Sequence, residues 1–575
     1  MRYGLLAYRL CLPWLPGACL VLLVGCGPGE EGGAAEGGRP VPEAVGGTVF
    51  TDVTEAAGLG TFRHVTGAVG DKWFPETMGG GVGFVDYDGD GWIDVLLVGG
   101  GTWSGAGPVP ALAAYRNNGD GTFTDQTEAA GLAGIAAYGF GLSAADYDND
   151  GDPDVFLTTL AENKLFRNDG GVFTEVGRAA GLGDTPRWST SALFFDADRD
   201  GHIDLYVGNY VVWSPDKDLL CTAIGTQIRS YCTPTLYEGL AGQFYRNEGD
   251  GTFVERTEEA GFGSVPGKTL AVAEADFNRD GWSDLVVAND TQRDLFFENR
   301  GDGTFREIGM LSGMAFDENG RARAGMGIDV GIVDDTGQPT IFVGNFSKEM
   351  VGVYRYAGDG LFIDRAAVSR VGLPSLQTLT FGLFLFDVDL DRDLDLFLAN
   401  GHITEEIGRV EEGITFRQPA QLFRNRGDGL FDVVLPEAGP LTEPMVARGA
   451  AYGDYDRDGD LDVLINENGG PVHLWRNDLA EASWLRVRLE GKRSNRDALG
   501  ARVVAVFGGR RSERRVRTGA SYLSQSEQAI TFGLGAAGRV DSLMVYWPAG
   551  GVDRFADVPA NQALRIVEGA GIAGR

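Results

Sequence analysis

A nine-residue phrase, D-x-D-x-D-G-x-x-D, recurs along the chain and constrains its fold more than any other feature. Complete copies are Asp86-Asp88-Asp90-Gly91-Asp94, Asp146-Asp148-Asp150-Gly151-Asp154, Asp196-Asp198-Asp200-Gly201-Asp204 and Asp454-Asp456-Asp458-Gly459-Asp462. A fifth copy puts Asn278 at the second acidic position, with Asp276, Asp280, Gly281 and Asp284 in place. A sixth, Asp387-Asp389-Asp391-Asp395, keeps every carboxylate but has Arg392 where the glycine belongs. A seventh aligns at 332–340, where only Asp334 survives of the acidic positions.

The context repeats with the loop. An apolar run such as Asp94-Val-Leu-Leu-Val98 follows it, then Tyr115-Arg-Asn-Asn-Gly-Asp-Gly-Thr-Phe123, and Phe50, Phe123, Phe173, Phe253, Phe305, Phe362 and Phe431 mark seven such starts. Loops lie 50 to 80 residues apart, room for about four short strands, which is one propeller blade. The expectation is an all-β chain whose core is a seven-bladed β-propeller over residues 48–476. The ends are complementary: residues 49–53 precede the first loop, and the last unit stops at Leu474-Trp475-Arg476-Asn477 without a Phe-led segment. The N-terminal strand is therefore expected to complete the final blade and remove an exposed sheet edge. An open solenoid would want capping units, and the sequence shows none.

Carboxylates separated by single residues converge when the chain turns sharply, and calcium takes six to eight such hard oxygen ligands. The first, third and fifth positions are expected to give side-chain oxygens, the seventh a backbone carbonyl, and the ninth an Asp able to bind through both oxygens. Lone acidic turns are common; copies in register point to calcium at about five to six loops. Arg392 must adopt the left-handed conformation, at a cost of about 1 kcal/mol, which marks the sixth site as weak, and the loop at Ile332 is expected to be metal-free. The formal charge of -33 fits this reading, because residues 27–476 carry 72 acidic against 32 basic groups. Bound cations relieve such self-repulsion, and a polyanionic surface excludes nucleic acid as partner.

At the N-terminus, Arg2 and Arg9 precede a mostly apolar stretch, residues 10–24, too short for a membrane span. Residues 1–26 read as a signal peptide ending in Leu23-Val24-Gly25-Cys26, which resembles a bacterial lipoprotein signal with Cys26 as the lipid-bearing residue; the alternative is an ordinary cleaved signal. Residues 27–47, rich in Gly and Glu, read as a flexible tether. The chain is then exported, held to a membrane only through a lipid anchor or else secreted, and monomeric. With Cys11 and Cys19 in the signal, Cys221 and Cys232 remain in the longest insertion. An oxidising compartment favours a disulfide between them over metal ligation.

No catalytic set stands out. His202 falls at a carbonyl-donating loop position, His402 follows a strand end and His473 sits in a strand. His64 lies near Lys72 and Glu76 in the irregular stretch 62–78, where a packing or surface role is the simpler reading. The Arg-Gly-Asp triplets at 300–302 and 426–428 belong to the repeated Asn-x-Gly-Asp-Gly turn, so turn chemistry accounts for them.

With these residues laid out, the chain is similar to the cartilage acidic protein family, which pairs FG-GAP/VCBS repeats of the integrin α-subunit type with a C-terminal ASPIC/UnbV domain. The resemblance includes His64, Pro75-Glu76-Thr77-Met78-Gly79 and Tyr231-Cys232-x-Pro234. In the tail it includes Trp484 to Gly491, Ser494-Asn-Arg496, Gly500-Ala-Arg502, Gly519-Ala-Ser-Tyr-Leu-Ser-Gln525, Phe532-Gly-Leu-Gly535 and Val545-x-Trp547-Pro548. It implies calcium loops on one face of an extracellular propeller and no established activity. Independently, residues 477–575 show strand-like runs and Gly-Gly turns, and a small β-sandwich is expected. Arg510, Arg511, Arg514, Arg515 and Arg517 are read as a solvated strand face or as docking onto the acidic propeller, ahead of a polyanion site.

The leading functional reading is a calcium-stabilised module at the cell surface that binds a protein or a glycan through interblade loops. The alternatives are a polysaccharide-active or quinone-dependent enzyme, which requires a deep polar pocket near the ring axis, and a structural or assembly role among exported proteins.

Overall fold

The computed structural model describes residues 49–103, 109–183, 186–222, 227–317, 319–479 and 482–573. The signal peptide, Cys26 and the tether lie outside the described residues. The fold is all-β. Seven four-stranded sheets run from Phe50 to Asn477, and two more make up the C-terminal region.

Each blade begins with an innermost strand such as Val82–Val85, Gly139–Ala145 or Thr269–Ala275, followed by the acidic loop. The second strand starts on the ninth loop residue, as in Asp94–Val98 and Asp284–Asn289, and is buried along its whole length. That burial explains its continuous apolar sequence, since blades press on both of its faces. The innermost strands contact one another in cyclic order, and the first meets the last. Apolar clusters fill the gaps between blades; one joins Val82 and Phe84 of the first blade to Leu464 and Leu474 of the seventh.

The ring closes as the ends of the repeat array predict. Phe50–Asp52 forms the fourth strand of the last sheet, with Phe50 opposite Asn477, Thr51 opposite Arg476 and Asp52 opposite Trp475.

A second interblade device is an asparagine. The Asn117 amide donates to the carbonyls of Ile93 in its own loop and Tyr455 in the neighbouring blade, both at 2.9 Å. Asn168, Asn247, Asn299, Asn425 and Asn477 repeat the bond to a neighbouring loop carbonyl at 2.7 to 2.9 Å. The fifth blade has Tyr356 at this place.

The C-terminal region is a β-sandwich. One sheet orders Ile530–Gly535, Ser483–Glu490, Gln562–Val567 and Gly571–Ala573; the other orders Arg510–Arg515, Arg502–Phe507, Arg539–Tyr546 and Val552–Pro559. Val487, Phe532 and Ile566 of the first meet Val503, Leu543 and Val545 of the second in a core continuous with Phe194 and Ile203 of the third blade.

From this sandwich, residues 518–527 enter the propeller axis. Thr518 bonds Phe194, Ser521 exchanges backbone bonds with Ile328, Leu523 accepts from Leu142, and Gln525 donates to Val82 and accepts from Phe84. The Ser521 hydroxyl donates to Ala450 and accepts from Leu383. The segment thus touches the innermost strands of six blades. Gly81 has no room for a side chain, because a Cβ there would sit 1.7 Å from the Leu523 carbonyl oxygen. No helix among the described residues is long and apolar enough to cross a membrane.

Candidate metal loops and the face they share

The acidic phrase folds into a chain of short turns. The first carboxylate accepts from the sixth backbone N–H, as Asp146 does from Gly151 at 2.8 Å. The third residue accepts from the fifth N–H, and the fifth from the seventh, as in Asp90 to Asp88 at 3.2 Å and Trp92 to Asp90 at 2.8 Å. Fourth positions take positive φ, including Asn149 at 61°, Arg199 and Arg279 at 59° and Arg457 at 63°. Arg392 takes it as well, at 96°, next to Leu390 at 56°, so the sixth loop holds two left-handed non-glycine residues.

Five loops bring three carboxylates each within 4.8 Å of one another: Asp86, Asp88 and Asp90; Asp146, Asp148 and Asp154; Asp196, Asp198 and Asp200; Asp387, Asp389 and Asp395; Asp454, Asp456 and Asp462. Asp94, Asp150, Asp204, Asp391 and Asp458 stand in the same loops beside these triads. The loop of Asp276, Asn278, Asp280 and Asp284 has an amide at its second position, and Asn278 donates to Asp280 at 2.9 Å. In the loop at Ile332, Asp334 pairs with Arg355 at 2.8 Å.

The ninth Asp has a role that reading by ligand position missed. Both of its oxygens are taken by backbone: Asp94 accepts from Tyr87 at 3.1 Å and from Asn117 at 2.8 Å. Asp154, Asp204, Asp284, Asp395 and Asp462 do the same. It clamps the loop to the strand carrying the interblade asparagine, and any metal must share lone pairs with those N–H groups. No fixed interval marks the pairing in the sequence, since the asparagine lies 14 residues after Asp154 and 43 after Asp204.

Burial and crowding leave these carboxyls under electrostatic stress. Burial, with neighbouring carboxylates adding, pushes Asp94 and Asp146 up to about 8, Asp154 to about 9 and Asp196 to about 7. Asp204, Asp284, Asp395 and Asp462 are pushed well above the carboxylate range. Asp196, Asp276, Asp387 and Asp454 each keep one buried Oδ1 without a hydrogen-bond partner. Clustered hard oxygens, several of them orphaned, fit a divalent cation.

Arginines approach the loops from two sides. Within the propeller, Arg116 spans Asp88 and Asp90, and Arg246 reaches Asp198 at 3.0 Å and Asp200 at 3.3 Å. From the sandwich, Arg488 pairs with Asp86 at 2.9 Å, Arg486 with Asp454 at 3.0 Å, Arg515 with Asp276 at 3.7 Å and Arg496 with Asp146 at 3.8 Å. Arg510 reaches Asp335 at 3.1 Å, Arg514 donates to the Arg392 carbonyl at 2.9 Å and Arg517 pairs with Asp329. Arg511 stays within its own sheet, on Glu513. The basic strand thus docks on the acidic face.

The opposite face collects the residues that did not fit the loop pattern. The Glu76 carboxylate accepts from the Tyr231 hydroxyl at 3.1 Å, and burial raises its pKa. Lys72 lies 4.9 Å from the Tyr231 ring. His64 and His402 are buried, each accepts a backbone N–H on Nδ1, and burial together with the Arg448 charge lowers them to about 3 and about 4. Both are therefore neutral at pH 7. Arg448, fully buried, donates to the Thr77 and Gly401 carbonyls and stacks on Phe381. Cys221 and Cys232 are disulfide-bonded and brace the insertion that supplies Tyr231.

The architecture defines the class. Residues 86–157, 146–207, 237–287 and 276–331 match the FG-GAP-like repeat, and residues 491–573 match ASPIC and UnbV: the chain is an FG-GAP repeat protein with a C-terminal ASPIC/UnbV domain. Among curated proteins it is similar to Cartilage acidic protein 1. It is 26% identical to the Xenopus tropicalis protein over 285 residues, covering 47% of this chain and 40% of that one. With the Homo sapiens protein it is 26% identical over 282 residues, covering 47% and 39%. The match thus spans about 40% of the length of these relatives. Among solved structures, an Agrocybe aegerita lectin recognising non-reducing terminal N-acetylglucosamine aligns with a TM-score of 0.38 at 17% identity, over 72% of this chain and 88% of that one.

Proposed function

We propose that this chain is a calcium-braced, non-enzymatic binding module displayed outside the cell. The orphaned, buried carboxylate oxygens of the acidic loops carry the calcium reading. Asp86, Asp146, Asp196, Asp387 and Asp454, with the third, fifth and ninth acidic residues of their loops, would hold the ions; the Asp276 loop supplies Asp276, Asn278, Asp280 and Asp284. Calcium supplies charge neutralisation there, and no chemistry is asked of it. Residues 518–527 occupy the axis, and among the described residues the lining of the cavity beside them contains no histidine or cysteine.

The partner is taken on the face opposite the loops. Around the disulfide-braced insertion, Leu220 is 88% and Leu236 56% exposed, and Val69 is 65% exposed in the adjoining loop. Arg229 ties the two segments by donating to the Asp71 carbonyl at 2.7 Å. Apolar side chains held out by a braced loop favour a protein partner over a glycan. Export and anchoring through Cys26 belong to the same reading.

Calorimetric titration of the mature, calcium-depleted chain tests the core of it. Uptake of several calcium ions with a rise in melting temperature is expected; absence of both overturns it. Leu220→Glu is expected to abolish capture of the surface partner without changing calcium uptake, and Cys26→Ser to abolish lipid labelling.

A further inference from the structure

Beside the axial segment, a cavity of about 460 Å³ lies between the third to seventh blades and the C-terminal sandwich. Its volume falls in the range of small-molecule sites, about 300–1,000 Å³. Arg279 and Gly550 on its rim are exposed, so it opens to solvent.

Glu274 makes this cavity unusual. It sits two residues before the first acidic residue of its loop, where the other blades carry Phe84, Ala144, Phe194, Val330, Leu385 and Tyr452. The repeat therefore asks for no charge there. Glu274 is 1% exposed, and neither carboxylate oxygen has a hydrogen-bond partner. Burial raises its pKa, against the charges of Arg515 and Arg517 and the nearby Ser283 hydroxyl. The two guanidiniums offset part of its charge, but a buried acceptor without a well-formed hydrogen bond still costs about 1–3 kcal/mol, so a fold keeps one where something else satisfies it.

The remaining walls narrow the ligand's chemistry. Arg515 spends one guanidinium nitrogen on the Ser283 hydroxyl at 3.2 Å, while its buried Nε has no partner; the Thr531 hydroxyl has none either. Glu274, Arg515 and Thr531 thus bring two acceptor oxygens, a guanidinium donor and a hydroxyl to the cavity lining. Six arginines line it together with six carboxylates, of which Asp276, Asp280 and Asp387 belong to the acidic loops, so both signs of charge face the space. An anion meets the carboxylates and a cation the arginines, whereas a neutral molecule that both donates and accepts meets neither penalty. Tyr452, Tyr546 and Trp547 also line it, with Arg502 stacked over the Tyr546 ring at 3.9 Å, and such a mixed polar and aromatic lining suits a hydroxylated ring.

We propose that this cavity binds a small neutral carbohydrate, with Glu274 accepting hydrogen bonds from its hydroxyls and Arg515 Nε and Thr531 completing the set. The proposal concerns an internal site between the two domains and does not rest on the partner face; its lining shares Asp276, Asp280 and Asp387 with the acidic loops, so it is tested with calcium bound.

Ligand-observed NMR and calorimetry on the mature, calcium-saturated full chain test it. Probes are glucose, galactose, mannose, maltose and cellobiose, with glucuronate and glucosamine as charged comparators. At least one neutral sugar is expected to bind saturably with a Kd of about 1 mM or below, ahead of both comparators. Glu274→Gln is expected to weaken it at least tenfold while the melting temperature holds or rises, and Leu220→Glu to leave it unchanged. Should Glu274→Gln not fold, Thr531→Val is expected to weaken the same sugar severalfold. Failure of every neutral probe to saturate overturns the proposal, as do stronger binding of a charged comparator and undiminished affinity in the folded variant.

Discussion

The Tyr522 hydroxyl donates to the Met78 carbonyl oxygen at 3.1 Å, joining the far end of the axial segment to the loop just before the first innermost strand. The two residues are 444 apart in sequence, and the bond lies at the face opposite the acidic loops. The sandwich therefore reaches through the ring as well as covering it, and propeller and tail are expected to unfold together.

Tyr522 is fully buried and packs edge-on against Phe381 at 4.9 Å. Tyr522→Phe removes one hydrogen bond to backbone and is expected to cost about 1 kcal/mol. Tyr522→Ala also opens a cavity and is expected to cost about 3–5 kcal/mol. Denaturant unfolding followed by fluorescence checks both, and a single transition for propeller and sandwich is expected in each.

The asparagine latch makes a second, local prediction. Asn299 donates to Ala197 of the neighbouring blade at 2.9 Å and to Ser283 at 3.2 Å, and its own Oδ1 accepts from Gly301 at 2.9 Å. Asn299→Ala leaves two buried carbonyls and an N–H unsatisfied, for an expected loss of about 2–4 kcal/mol in chemical denaturation. Asn299→Asp, which turns a donor into a charged acceptor facing carbonyls, is expected to lose more.

The sixth loop is the one in which backbone and charge both oppose calcium. Arg392 holds φ at 96°, with its guanidinium on Asp393 at 2.9 Å. Arg392→Gly removes left-handed strain of about 1 kcal/mol and a positive charge beside Asp387, Asp389 and Asp391. The weakest calcium step in calorimetry is expected to tighten severalfold. The net change in apo stability is expected to be small, since the ion pair is lost as the strain is relieved.

Blade architecture was legible because it repeats: the spacing of Asp86, Asp146 and Asp196 and the recurrent Phe starts carry the period, and the unmatched ends foretell the closing strand at Phe50. The site was legible only as a set of ligand types. That Asp94 clamps backbone on both oxygens is a tertiary fact, since one donor, Asn117, lies 23 residues on. Entry of residues 519–525 into the axis was hidden because a run of small and apolar residues looks alike in a loop and in a core. Glu274 was invisible for the opposite reason: one acidic residue in so acidic a chain draws no notice until burial and the missing partners single it out.

Closure of the ring is expected to depend on pH through His473. This side chain lies on the strand that pairs with Phe50–Asp52, 3.7 Å from Asp52 and 3.3 Å from Glu467. Burial works against its charge, but the hydrogen bonds and charges of Asp52 and Glu467 outweigh it and raise its pKa above the ordinary 6.5. A raised folded value means that the folded chain holds the proton more tightly than the unfolded one. The stabilisation is therefore complete below about 6.5 and fades as the pH climbs through the folded value. The carboxylates oppose this only in acid, since burial is outweighed there too and both Asp52 and Glu467 titrate below their usual range. Wild type and His473→Gln are expected to differ by about 1 kcal/mol near pH 6, and the gap is expected to narrow steadily toward pH 8.5. Melting temperatures at fixed calcium and ionic strength give the comparison, with stresses on the acidic loops common to both chains. A gap that stays constant or widens as pH rises would show that the imidazole acts at the seam by shape alone.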